Sequence, residues 1–222
     1  MILDIKALLT PPEIERLRTI AKEMAFVDGR ATNPNNETKV NQQADPNAPQ
    51  HGESSKIVQD ALNRSREFRD FALPRRIAPP LLTRYTAGMK YGAHSDSAYV
   101  AAPPGRPLRS DVSVTVFLND PSAYEGGELS VRIGNRTILA KGDAGEAFVY
   151  PSTTLHEVLP VRSGERLVSI TFVQSMVADE VKRTMLYELG EVSALEGLKM
   201  TWDNRVRLET VRNNLLRQWS SE

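Results

Sequence analysis

Apolar positions along this chain change period twice, from helical spacing to alternation and back to helical spacing. Near the start, Ile14, Leu17, Ala21 and Met24 recur at intervals of three and four, which predicts a helix with one apolar stripe ending near Asp28-Gly29. Thr10-Pro11-Pro12-Glu13 supplies its beginning: a capping threonine, prolines whose missing N–H groups are harmless in a first turn, and a glutamate able to reach back. Residues 31–56 are rich in Asn, Gln, Pro and Ser and offer little to bury, the composition of a long mobile loop. Residues 57–72 return to helical spacing.

From Ile77 the apolar runs become short and are separated by Gly and Pro turns. LLTRY (81–85), SVTVFL (113–118), GELSVRI (127–133), EAFVY (146–150), LHEVLPV (155–161) and RLVSITFV (166–173) are the predicted strands of an antiparallel sandwich or barrel. After Val177 two helical stripes follow, Val181, Met185 and Leu189, then Leu208, Val211, Leu215 and Trp219, which are expected to pack on the core. The expected organisation is a helical segment with its loop over 1–76, a β core over 77–178 and a helical extension over 179–222.

Composition narrows the function. With 222 residues, 40% of them apolar, the chain can bury a core; with 28 basic and 28 acidic residues it has no net charge and no electrostatic footprint for nucleic acid. There is no cysteine, which excludes disulfides, thiolate metal sites and a cysteine nucleophile and fits a reducing cytoplasm. No signal-peptide pattern or membrane-length apolar run is visible, so a soluble cytoplasmic protein is expected, its oligomeric state open.

Candidate chemistry rests on three histidines. His51 lies in the polar segment and is expected to be a solvated surface residue. His94 and Asp96 alternate along an extended stretch, so imidazole and carboxylate point the same way. The pair alone is common by chance; His156, on a predicted strand, supplies a third ligand. Two histidines and one carboxylate on one face of a metal leave the other positions open, as in non-haem Fe(II) oxygenases. VRSGER suggests a hairpin with Arg162-Ser163-Gly164 as its loop, which turns Arg166 to the face of His156. An offset of four strand positions, roughly 13 Å, suits a small dicarboxylate held by the metal at one end and the guanidinium at the other. A zinc hydrolase would use the same triad without needing Arg166, and a non-catalytic β-sandwich would need none of these residues.

The strings RYTAGMKYGAHSD, SVTVFLNDPSAYEGGEL and VYPSTTLHEVLPVRSGERLVS, with FVDGRAT and LPRRIAPPL before them, resemble the PKHD-type hydroxylases, bacterial relatives of prolyl 4-hydroxylases among the Fe(II)/2-oxoglutarate dioxygenases. The resemblance implies a mainly β protein with a double-stranded β-helix (jelly-roll) core and flanking helices. It implies His94, Asp96 and His156 as iron ligands, Arg166 on the 2-oxoglutarate 5-carboxylate and Tyr85 as a further co-substrate contact. The cofactors implied are Fe(II), 2-oxoglutarate and O2, with L-ascorbate as a candidate reductant. The reaction implied is hydroxylation of a peptide side chain or a small molecule, such as a siderophore-related compound, with release of succinate and CO2. Two positions depart from better-known relatives: collagen-type enzymes have lysine in place of Arg166, and some prolyl hydroxylases have a co-substrate tyrosine where Phe117 stands. Ser113 and Thr115 share the Phe117 face and are candidate replacements. Residues 31–56 and 102–109 are the expected substrate-contacting loops.

Overall fold

The computed structural model describes residues 1–102 and 105–220, so Pro103 and Pro104 of the expected 102–109 loop lie outside the described residues. In chain order the elements are β1 (Leu3–Ile5), α1 (Pro11–Glu23), β2 (Phe26–Asp28), β3 (Lys39–Val40), β4 (Gln42–Ala44), α2 (His51–Arg64) and α3 (Arg66–Ala72). The β-rich block follows: β5 (Pro74–Ile77), β6 (Leu81–Thr86), β7 (Lys90–His94), β8 (Tyr99–Val100), β9 (Leu108–Arg109), β10 (Val112–Phe117), β11 (Tyr124–Gly126) and β12 (Leu129–Ile133). It continues through β13 (Arg136–Ala140), β14 (Ala147–Pro151), β15 (His156–Val158) and β16 (Val161–Ser175), before α4 (Glu180–Glu196) and α5 (Trp202–Trp219).

The larger sheet runs β1-β14-β10-β16-β6-β4-β2, with β5 and β11 also on β16; the smaller runs β13-β12-β15-β7-β3. All pairings among the described residues are antiparallel, and spatial neighbours are mostly distant in sequence, the winding of the expected jelly roll. β10 shows how one strand serves two cores. Val112, Val114 and Val116 pack beneath the helices with Leu17, Ile20, Val58 and Phe68, each such burial worth about 1.5–3 kcal/mol. Phe117 joins Tyr85, Leu129, Val131, Tyr150 and Val168 between the sheets. Helix α1 starts as its sequence predicts, the Thr10 N–H donating to Glu13 Oε2 at 2.8 Å.

Three expectations are corrected. Residues 31–56 are not one loop: they contain β3, β4 and the start of α2, and His51 is a half-buried helix residue. β3 extends the smaller sheet through Lys39↔Tyr91, and β4 extends the larger through Gln42↔Arg84. Main-chain pairing, which composition does not register, replaces apolar burial there.

The Val161/Glu165 hairpin does not form. After Val158 the chain crosses between sheets, Val161 N–H bonding Met89 O at 3.0 Å, and β16 then runs unbroken. Gly164 has the left-handed φ of +75° expected of it, but inside the strand, where a Cβ would meet Ala123 O at 2.2 Å. The glycine permits close backbone approach by β11 rather than a turn.

The α4 stripe also turns outward: Val181 and Met185 are 62% and 51% exposed. α4 instead buries Leu186 and Arg183, the latter donating to Val177 O at 2.9 Å and Ala178 O at 3.3 Å. Carbonyl partners let a cation occupy the inward face and rotate the apolar stripe away. No helix among the described residues is long and apolar enough to cross a membrane.

Candidate metal centre and its cavity

His94 ends β7 and His156 begins β15, and the two are Cα partners in the smaller sheet. Asp96 lies two residues past His94, its N–H bonded to Ser152 O at 3.2 Å. One ligand atom from each of the three lies within 4.8 Å of the others, with Asp96 Oδ1 at 3.9 Å from His94 Nε2 and 3.7 Å from His156 Nε2. Both rings are oriented alike: His94 Nδ1 contacts Gly92 O at 2.7 Å, and His156 Nδ1 contacts Thr154 O at 2.9 Å. A carbonyl partner requires a proton on Nδ1, which leaves each Nε2 lone pair aimed at the common point. Burial, then the neighbouring His156, lowers the His94 pKa to about 4, so that ring is neutral at pH 7.

The second carboxylate oxygen is also held. Asp96 Oδ2 accepts from Ser113 Oγ at 2.5 Å; Ser113 is 2.7 Å from Ser152 Oγ, which accepts from Ser110 Oγ at 2.8 Å. Ser113 is therefore committed to Asp96 rather than free for a co-substrate. Thr115 and Tyr150 line the same cavity, and the Tyr150 ring meets His156 edge-on at 5.0 Å. Burial raises the Tyr150 hydroxyl pKa well above its ordinary value, so it stays protonated. Tyr91 stacks on His94 at 3.7 Å and supports its ring, while Tyr99 stands exposed at the rim.

A cavity of about 470 Å³ opens over the triad, and Arg166 lines it from the larger sheet. Arg166 is 2% exposed and is the register partner of Tyr85 in β6. Its guanidinium carbon lies 5.1 Å from the Tyr85 ring centroid and 6.0 Å from that of Phe117. Its Nε has no hydrogen-bond partner, and no carboxylate among the described residues pairs with it. The Tyr85 hydroxyl accepts from Asn41 Nδ2 at 2.8 Å, which leaves its own hydrogen free to donate elsewhere. Burial raises the Tyr85 pKa and keeps it a donor. The structure thus brings His94, Asp96, His156, Tyr85 and Arg166 to one cavity. Ser152, Tyr150, Asn41 and Lys39 were missed by sequence reasoning, because only the winding of the sheets carries them to the triad.

The donor set fits one kind of metal. Two imidazoles and one carboxylate suit iron or another transition ion and are too nitrogen-rich for calcium or magnesium. Residues 80–174 match the family model of the 2OG-Fe(II) oxygenase superfamily, the class that this fold and donor set define. Solved structures agree in fold: a Pseudomonas putida prolyl-4-hydroxylase is 19% identical, with TM-score 0.53 over 78% of this chain and 92% of that one. A Trichoplax adhaerens prolyl hydroxylase, solved with a hypoxia inducible factor peptide, is 17% identical, with TM-score 0.61 over 83% and 86%. Full-length similarity is closer: a PKHD-type hydroxylase of Sphingopyxis alaskensis is 50% identical over 96% of both chains, and YbiX of Escherichia coli O157:H7 is 36% identical over 99% of both. The chain belongs to the PKHD-type hydroxylase family. It is an Fe(II)- and 2-oxoglutarate-dependent dioxygenase, and the hydrolase and binding-module alternatives fall away.

Proposed function

We propose that His94, Asp96 and His156 hold the Fe(II), that Arg166 receives the 5-carboxylate of 2-oxoglutarate, and that Tyr85 donates a hydrogen bond to the same co-substrate. The observation that carries this reading is a buried, unpaired guanidinium facing a His-Asp-His cluster across one cavity. A guanidinium so placed is costly without an anion and forms two parallel hydrogen bonds with a carboxylate. Bound iron supplies the redox chemistry that couples 2-oxoglutarate decarboxylation, yielding succinate and CO2, to substrate hydroxylation.

The chain's own work is geometric. The Nδ1–carbonyl bonds fix both imidazoles, Ser113 fixes Asp96, and the inter-sheet core of Val131, Val158 and Val168 limits water beneath the site. The substrate, a small molecule or peptide side chain, enters past Tyr99 and residues 31–39. The lack of cysteine fits work in the reducing cytoplasm. The test is an anaerobic Fe(II) titration with and without 2-oxoglutarate. The visible charge-transfer band of the chelated keto acid is expected only with both, and its absence from folded, iron-loaded protein overturns the reading.

A further inference from the structure

Arg166 is not alone in the cavity. Lys39, on β3 opposite Tyr91, is 5% exposed and lines the same space from the N-terminal segment. Its ammonium lies 5.2 Å from the Tyr91 ring centroid and donates to Thr32 Oγ1 at 2.7 Å. No carboxylate among the described residues is within ion-pairing distance: Asp28 is engaged by Arg30 at 2.6 Å, and Asp96 belongs to the triad. Burial lowers the Lys39 pKa to about 8, so at pH 7 it still carries its proton. Its direct partners are neutral, with Asp96 and Asp28 attracting it from beyond ion-pairing distance, and a buried ammonium so held costs stability that an apolar side chain of similar length would not. Its charge therefore has a use that the folded chain alone does not supply.

We infer that Lys39 binds a carboxylate of the substrate and so defines the substrate class as carboxylate-bearing. The inference rests on the reading above, which puts the substrate in this cavity. One ammonium flanked by amides and hydroxyls matches a single negative charge; a phosphate, with its higher charge and three acceptor oxygens, calls for further cationic or backbone donors beside the ammonium. Asn33 completes the wall, its Nδ2 donating to the Tyr91 hydroxyl at 3.0 Å. Tyr91 in turn stacks on His94 at 3.7 Å, so the anchoring ammonium stands one ring beyond a triad residue.

The test uses anaerobic protein loaded with Fe(II) and saturating 2-oxoglutarate, which occupies Arg166. It is titrated with N-acetylated amino acids and with their neutral amides by equilibrium dialysis. Acids are expected to bind the wild type, to bind Lys39→Met at least tenfold more weakly, to be retained by Lys39→Arg, and to outcompete their amides in every pair. Equal binding of acid and amide, unchanged acid binding by Lys39→Met, or no binding by any acid overturns the inference. Formation of the keto-acid band before titration reads the parent reading separately. Thermal unfolding of metal-free protein adds a ligand-independent check: Lys39→Met is expected to raise Tm, and a fall would make Lys39 a structural residue and overturn the proposal.

Discussion

The floor and the wall of the cavity each present one buried cation, and they are built differently. Arg166 stands in the middle of β16, a strand paired on both sides, and its neighbours come from the inter-sheet core. Lys39 stands on a two-residue strand at the edge of the smaller sheet, among polar residues of a segment with few apolar contacts. The rigid position suits the proposed role of Arg166, which would meet the same co-substrate in every turnover. The edge position suits a group whose ligand differs between proteins sharing the fold, because an edge changes without disturbing the core.

The difference can be broken most directly at Arg166. Arg166→Ala is expected to cost about 2–5 kcal/mol of 2-oxoglutarate affinity, read as a raised KM, with iron content retained. Unchanged KM would remove the floor from the co-substrate site and leave the two cations without distinct roles. Ser113→Ala is expected to act on the metal instead, lowering iron affinity by about 10–100-fold in a metal titration, because Asp96 then loses the donor that orients it. Equal loss in iron and 2-oxoglutarate affinity would mean that floor and triad are one unit.

The mildest effect is on pH dependence. The folded-state pKa of His94 is lowered from 6.5 to about 4, so between those values the unfolded chain binds the proton and the metal-free fold does not. Stability from this ring is fully present above pH 6.5 and is lost as pH falls toward about 4. Denaturant unfolding of metal-free protein across that window checks the sign. His94→Gln should flatten the curve, and an unaltered slope would show that the ring is not desolvated as its position implies.

Alternation in LLTRY, SVTVFL and RLVSITFV is enough to predict β6, β10 and the latter part of β16, since period-two patterning is a local property of an extended strand. His94 and Asp96 were legible as a pair for the same reason. Arg166 does reach the cavity, but from the larger sheet, facing His156 of the smaller one rather than sharing its sheet face as the hairpin requires. Its partner in the ladder is Tyr85 in β6. The composition of residues 31–56 hides β3 and β4, which are held by main-chain pairing and leave no apolar trace.

By itself, then, the sequence determined the strand faces, the capped first helix and, through motifs near His94, His156 and Arg166, the chemistry of the centre. Those are consequences of local spacing and residue type. The tertiary structure alone decided which strands lie side by side. That placed Ser113 under Asp96, Tyr85 beside Arg166 and Lys39 over Tyr91, because such contacts join residues tens of positions apart through sheet winding that no short-range pattern encodes.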